Sequence, residues 1–249
     1  MKISFVSLAL LSAATAQVRF EVASIHECRA DELVFTPEHP MQPDSIGVFI
    51  NPGQVVIRRM TLNRIVSRAF GIVPAQITGA PNVQRFLSQL HYDIRAKIPE
   101  GVSQSQVPEM LRSLLEERFN IRAHQEQRMV DGYLMSVGDA QALETARIKN
   151  FRKFGDPAIR PPWKSDDGPP PASIEASSTG GFADVLSEAI SPTVVAAETS
   201  VEGPFRFWVD IGSPSAAFDS LKNYGLRFGK SRFEKTYLVV DSVGHPSEN

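Results

Sequence analysis

Cysteine is almost missing from this sequence, whose 249 residues include only Cys28. An intramolecular disulfide is therefore impossible, and the hydrophobic core must stabilise the fold without the cross-links that many small exported domains use. In the stretch SIHECRADE, Cys28 could be a reactive thiol, could pair with another chain, or could bind a metal ion with His26 and Glu32. Because the sequence has no second cysteine and no cluster of histidines, we interpret Cys28 as a half-buried thiol just after a first strand.

A strong net charge is also missing. The 26 basic and 28 acidic side chains give a formal charge of −2, so the protein has no basic field that would attract nucleic acid or an anionic membrane. The apolar run at residues 3–13 is much shorter than the roughly 20 residues that span a bilayer. We therefore expect no nucleic-acid partner and no transmembrane anchor in the mature chain.

The first 16 residues have the three zones of a secretory signal peptide. Lys2 provides the positive charge, residues 3–13 form the apolar zone, and Ala14-Thr15-Ala16 forms a cleavage site before Gln17. We predict that residues 1–16 are removed and that the mature chain is exported to the periplasm or the medium. Removal takes away one lysine, so the formal charge of −2 becomes −3.

The familiar catalytic motifs are absent as well. The sequence contains no G-x-S-x-G elbow, S-x-x-K, H-E-x-x-H, phosphate loop or dinucleotide fingerprint. Its five histidines are scattered at positions 26, 39, 91, 124 and 245. We therefore predict no catalytic, cofactor-binding or metal-binding residues, no cofactor, and no enzymatic activity.

The sequence does contain a repeat, in which predicted strands and helices follow the same order twice. After a strand at residues 18–25 and an irregular excursion at 29–53, the hydrophobic pattern predicts a first series of strands and helices. Its helix at 62–72 has one apolar face, formed by Leu62, Ile65, Val66 and Ala69. The first series is strand 53–59, helix 62–72, strand 75–81, strand 91–99, helix 107–119, and strands 120–129 and 132–138 joined by a turn at 130–132. The second series is strand 172–178, helix 181–190, strand 193–198, strand 205–211, helix 216–225, and strands 226–233 and 236–244.

This repetition predicts an α+β fold made of two related β-α-β-β-α-β-β units, with helices packed on small mixed sheets. We place the first unit at residues 17–150 and the second at 173–249. The linker between them, 151–172, is rich in proline, which excludes both helix and central strand. Trp163 in this linker either anchors it in a groove or binds a partner, and we favour anchoring.

Two groups of polar side chains on strands could form a site. His124 and Glu126 lie on one face of a strand and could act as an acid/base pair, although Arg122 and Arg128 on the same face favour a solvated surface. His91 and Asp93 also share a face beside Arg95, but the local sequence offers no third or fourth metal ligand. We interpret both groups as surface pairing.

Two other groups are weaker candidates. Glu116 and Glu117 are adjacent on a helix, so their side chains point about 100° apart and do not converge on one substrate atom. His245, Ser247 and Glu248 have the residue types of a hydrolytic triad, but the last residues of a chain usually fray and cannot hold a nucleophile in place.

Four stretches together carry a resemblance to a known family. They are FEVASIHEC at 20–28, the block from TLNRIVSRAFGI to YDIRAKIP at 61–99, MLRSLLEERFNIRAHQEQRMVDGYLMSVG at 110–138, and VVDSVGHPSEN at 239–249. In these stretches the chain resembles the exported soil-associated proteins of acidobacteria, a domain of unknown function. The resemblance implies repeat units similar to the short N-terminal modules of secretins and TonB-dependent receptors, which make protein contacts in the periplasm. It implies no catalytic residue.

One segment departs from the pattern of that family. Where the family has VVD.TGL.G.YDF, this chain has VVAAETSVEGPFRF, from Val194 to Phe207. Ala197, Ser200 and Arg206 replace an aspartate, a glycine and a second aspartate. If this segment binds something in relatives, that ability would be lost or altered here.

These observations favour an exported, non-enzymatic binding, interaction or sensing protein, whose partner is an unknown extracytoplasmic protein or a small ligand. The alternative is an extracytoplasmic hydrolase that uses His124, Glu126 or the terminal cluster. A third possibility is a structural or adhesive role at the cell surface.

Overall fold

A computed structural model describes residues 18–29, 46–148, 159–160 and 172–247. The predictions for the signal peptide at 1–16, for Glu32, for Trp163 and the rest of the linker apart from residues 159, 160 and 172, and for Glu248 lie outside the described residues.

The described residues form an α+β fold, as the sequence predicts. The elements before the linker are β1 Val22–Glu27, β2 Gly47–Asn51, β3 Gln54–Thr61, α1 Leu62–Phe70, β4 Ile77–Gly79, α2 Pro81–Gln89, β5 His91–Lys97, α3 Val107–Arg118, β6 Arg122–Val137 and α4 Ala140–Glu144. The later elements are β7 Ile159–Arg160, β8 Ala172–Ser178, α5 Thr179–Ala189, β9 Val195–Ala197, β10 Glu202–Val209, α6 Pro214–Lys222 and β11 Leu226–Ser242. We call β1 to α4 the first half and β7 to β11 the second half.

The pair of strands predicted at the end of each unit is wrong, because one long strand takes its place in each half. β6 has 16 residues and passes through 130–132, where the sequence predicted a turn. Gly132 produces no turn. It allows the backbone at Val194 to come close, because a Cβ atom at position 132 would lie 2.5 Å from the Val194 carbonyl oxygen. The other predicted pair, at 226–233 and 236–244, is likewise replaced by the single 17-residue strand β11.

The two long strands pair with each other and join the halves. β6 and β11 are antiparallel from Leu226 opposite Val137 to Val240 opposite Ala123, with an irregularity only near Ser242. The short strand of each half then pairs in parallel with the long strand of the other half, giving the sheet order β4-β11-β6-β9. The two halves therefore exchange strands through one central sheet.

Each half also has an outer sheet of its own. The order is β1-β5-β3-β2 in the first half and β10-β8-β7 in the second. In the first half the apolar face of α1 is buried as its periodicity predicts, through Leu62, Ile65, Val66 and Ala69. α2 has no counterpart in the sequence prediction, because only Val83 and Leu87 of its nine residues are buried and two apolar positions make a weak periodic signal.

Each hydrophobic core is completed by the other half. Leu238 and Val240 of β11 are buried in the core of the first half, while Met135 of β6 is buried in the core of the second. Leu143 and Ala146, which also precede the linker, belong to the second core as well. The unit boundaries at residues 150 and 173 stay a prediction about the sequence repeat, since both cores draw side chains from either side of the linker.

We predict that the halves unfold together. Leu238→Ala removes a fully buried side chain from the first core and should lower the free energy of unfolding by about 2–5 kcal/mol. In a Trp163→Phe background, unfolding can be followed by the fluorescence of Trp208 in the second half. The free energy of unfolding measured in this way should fall by the same amount as that measured by circular dichroism. Val239→Ala, at a half-buried neighbouring position, is the matched control and should cost less. If Leu238→Ala leaves the unfolding transition of Trp208 unchanged, the halves do not unfold together, which would contradict the prediction.

Candidate binding cleft

His124 lies on the exposed surface of β6 with a carboxylate on each ring nitrogen. Nδ1 is 3.0 Å from Asp241 Oδ2, and Nε2 is 3.4 Å from Glu126 Oε1. Hydrogen bonds to Asp241 and then to Glu126 raise the pKa of His124, while Arg128 lowers the pKa of Glu126. Because both nitrogens are engaged and the side chain is 51% exposed, the geometry is that of a surface ion-pair ladder.

In the His91–Asp93 group, Asp93 accepts hydrogen bonds from the backbone and from Cys28 in the first half. Asp93 Oδ1 accepts a hydrogen bond from the Arg59 N–H at 2.7 Å, at a position where φ is +49° and the β3–β5 register shifts. The Cys28 thiol donates to the same oxygen at 3.5 Å. Among the described residues, no group of three or more His, Cys, Asp or Glu side chains could hold a metal ion.

The chain terminus is docked on the first half up to Ser247. The Ser247 N–H donates to the Arg118 carbonyl at 2.8 Å, and Arg118 Nη2 donates to the Ser247 carbonyl at 2.6 Å. The His245 ring packs edge-on against Phe86, with Nδ1 3.7 Å from Glu27 Oε2 and the side chain 71% exposed. His245 and Ser247 thus contact different partners, and the expected fraying does not reach Ser247.

The structure also forms a cleft between the two halves, which no sequence motif predicted. Its volume is about 480 Å³, within the range usual for sites that bind small ligands. The first half contributes the segment after α1, and the second half contributes the first half of α5 and the segment from β9 onward. The paired long strands contribute the rest. The lining residues are Gly71, Ile72, Gln76, Gln125, Gly180, Asp184, Ala196, Ala197, Ser200, Glu234, Lys235 and Thr236.

A buried lysine, Lys235, is part of the lining of this cleft. The Lys235 side chain is only 9% exposed, and its Nζ is 3.2 Å from Asp184 Oδ1 on α5 and 3.2 Å from the Val195 carbonyl on β9. A buried ammonium group needs such partners, because its desolvation is costly. Among the described residues, these contacts use two of the three N–H donors of the ammonium.

Further polar contacts hold the walls of the cleft together. Gln76 Nε2 donates to the Thr236 carbonyl at 2.6 Å and so fixes the first half on β11. Arg64 on α1 is paired with Glu188 on α5, with Nη2 3.3 Å from Oε1. The Gln76 and Arg64 contacts both join the first half to the second beside the cleft.

The segment that departs from the family pattern forms one wall. Ala197 and Ser200 both line the cleft, and Ser200 Oγ accepts a hydrogen bond from the Gly180 N–H at 3.3 Å, at the start of α5. A Cβ atom at Gly180 would lie 2.9 Å from this oxygen, so a larger residue there would displace the Ser200 side chain. Arg206 does not line the cleft; it forms an ion pair with Glu175 on β8, with Nη2 2.7 Å from Oε1.

The fold and the cleft define an α+β protein with two strand-exchanged halves that border an open polar cleft. Within the part of the chain that the structure describes, no helix has the length and apolar character needed to cross a membrane. The chain belongs to the family described as protein of unknown function (DUF3738), whose model matches residues 63–243. No curated protein and no solved structure matches it. The family agrees with the resemblance to a domain of unknown function, while the acidobacterial origin and the likeness to secretin modules stay predictions.

We predict that Asp241 is the main cause of the raised pKa of His124. A raised folded-state pKa stabilises the fold below the ordinary histidine pKa near 6.5, and this stabilisation is lost as the pH rises through the folded-state value. Asp241→Asn should therefore lower the pKa of His124 measured by NMR titration. Asp219→Asn, which removes an exposed aspartate on α6, is the control. An unchanged His124 titration in Asp241→Asn would contradict the assignment.

Proposed function

We propose that this protein is an exported, non-enzymatic binding protein that holds its ligand in the cleft between the halves. The observation that carries the proposal is the cleft itself, which residues of both halves line together with the buried Lys235 side chain. Sites that bind small ligands have a small number of placed polar groups, and the cleft has a volume in their range with Lys235, Asp184 and Gln76 in its lining. A ligand there would contact both halves at once.

The surroundings of the candidate nucleophiles and bases support a role without catalysis. Both nitrogens of His124 are occupied by carboxylates, and the Cys28 thiol donates to Asp93. A hydrolase would need a nucleophile within reach of a base that can accept its proton. His245 and Ser247 do not supply this pair, because the ring packs on Phe86 and the serine is held through its backbone by Arg118.

Binding can be tested with the mature chain and a panel of small sugars, amino acids, short peptides and carboxylates. A ligand of the native state raises the melting temperature, and we expect at least one class to do so. Ala197→Glu places a long side chain in the cleft and should abolish that rise while leaving the ligand-free melting temperature nearly unchanged. Ala140→Glu, at an exposed position on α4, is the matched control and should still respond.

Two results would contradict the binding proposal. One is a panel in which no compound raises the melting temperature at millimolar concentration. The other is a compound that stabilises Ala197→Glu as much as the unaltered chain, because the ligand would then bind elsewhere.

The proposal that the protein is exported rests on the signal-peptide zones at residues 1–16. Expressed with its first 16 residues in a Gram-negative host, the protein should be recovered from the periplasm or the medium with Gln17 as its N-terminal residue. A Leu8→Arg variant interrupts the apolar zone and should keep the protein in the cytoplasm. Recovery of the unaltered protein from the cytoplasm with residues 1–16 intact would contradict the proposal.

A further inference from the structure

The outer sheet of the first half ends in an edge strand, β1, whose far side is not paired. β1 is the last strand in the order β1-β5-β3-β2, so among the described residues its only neighbour strand is β5. The Cys28 N–H donates to the His91 carbonyl at 2.8 Å, and Val22 to Glu27 keep the same register with β5. Because backbone groups alternate in direction along a strand, the N–H and C=O of Ala23 and Ile25 point away from β5.

The outward groups of β1 lie between two fixed points. The segment before β1 is held against α3, where Ser113 Oγ donates to the Val18 carbonyl at 3.1 Å. At the other end, the docked chain terminus reaches β1 at Glu27. Between these points, within the described part of the chain, no hydrogen bond reaches the outward N–H and C=O of Ala23 and Ile25. The middle of the edge therefore presents main-chain donors and acceptors that another strand could use.

A groove with a volume of about 630 Å³ is bordered by this edge and by α3. Phe20, Val22 and Ala23 line it on the strand side, and Met110 and Leu114 line it on the helix side. Val22 is 65% exposed, so the groove has apolar surface that a ligand could cover. The Ala23 side chain packs against the first core, and directly opposed residues in paired strands share a face. A side chain opposite Ala23 in an added strand would therefore point into the groove toward α3.

The charged side chains that line the groove already have partners. Arg19 Nη1 is 2.7 Å from Glu117 Oε1, and Glu21 Oε2 is 2.8 Å from Lys97 Nζ. Arg118 donates to the backbone carbonyl of the docked terminus at 2.6 Å. What the groove offers a ligand is thus apolar surface and main-chain groups, which match an uncharged stretch of polypeptide.

We infer that this groove binds an extended peptide, which adds a strand to β1 at Ala23 and Ile25 and places alternate apolar side chains beside α3. Strand addition at an open sheet edge is a recurring way to recognise peptides, in which main-chain hydrogen bonds give affinity and pockets for alternate side chains give specificity. The site is separate from the cleft between the halves, so it would exist whether or not that cleft binds a ligand.

The test is an NMR titration of the ¹⁵N-labelled mature chain with the capped peptide acetyl-Thr-Val-Thr-Val-amide. The peptide should shift the amide signals of Ala23 and Ile25. Val48 and Ile50 provide an internal control at the opposite edge of the same sheet, far from the groove. Their N–H groups also point away from the neighbouring strand, because Asn51 pairs with Gln54 across a two-residue hairpin loop. Their signals should shift much less.

Two methylated peptides test whether the main chain is recognised. One is N-methylated at both valines and the other at both threonines. A paired strand turns only alternate N–H groups toward its neighbour, so one methylated peptide should bind about tenfold or more weakly while the other binds like the parent. Equal affinities of the two methylated peptides would overturn the inference.

A variant tests the edge itself. Ala23→Pro removes an outward N–H at an edge position, where proline is tolerated, and should abolish the peptide-induced shift of Ile25. Val48→Pro makes the matched change at the opposite edge and should leave binding unaltered. Circular dichroism and the melting temperature show whether each variant keeps the fold. If Ala23→Pro does not fold, the two methylated peptides still decide the question.

The titration itself can also contradict the peptide site. Shifts of Val48 and Ile50 as large as those of Ala23 and Ile25 would mean that the peptide adds to any open edge, and the groove has no role. A shift of Gly180 in the cleft without a shift at β1 would place the peptide in the cleft, which would support the binding function and overturn the groove. Signals of Ala23 and Ile25 that change with protein concentration alone would mean that the edge pairs with a second copy. No shift at β1 with millimolar peptide would overturn the inference as well.

Discussion

The full-length pairing of β6 with β11 is the constraint on which the rest of the structure depends. It places Leu238 and Val240 in the core of the first half and Met135 in the core of the second. Apolar burial is the main favourable term in folding, so neither core reaches its full stability without the strand that the other half provides. The same two strands contribute Gln125 and Lys235 to the lining of the cleft.

Local features of this fold could be predicted from the sequence, and non-local ones could not. The buried face of α1 follows from the spacing of Leu62, Ile65, Val66 and Ala69, because helical periodicity is a local signal. Gly132 is ambiguous, since glycine is typical both of a turn and of a close backbone contact. Only the approach of the Val194 carbonyl, 62 residues away in sequence, shows that the second reason applies.

The candidate site, too, has local features that can be predicted from the sequence and non-local ones that cannot. The departure at 194–207 is visible in the sequence, and two of its altered residues, Ala197 and Ser200, line the cleft. Lys235 and Asp184 are 51 positions apart, and each has the sequence context of an ordinary surface residue. Histidine pairs on one strand are recognisable from their spacing, whereas the cleft is lined by residues that are far apart in sequence and meet only in the folded chain.

The central claim is that the two halves are one cooperative unit joined by exchanged strands. Native-state hydrogen exchange in increasing denaturant tests it most directly, because it reports the free energy of opening for each amide. The amides of Ile57 in the first core and Phe207 in the second should merge into a single global opening with those of Leu238 and Met135 at the exchanged positions. Two separate openings, with Leu238 following the second half and Met135 the first, would contradict the claim.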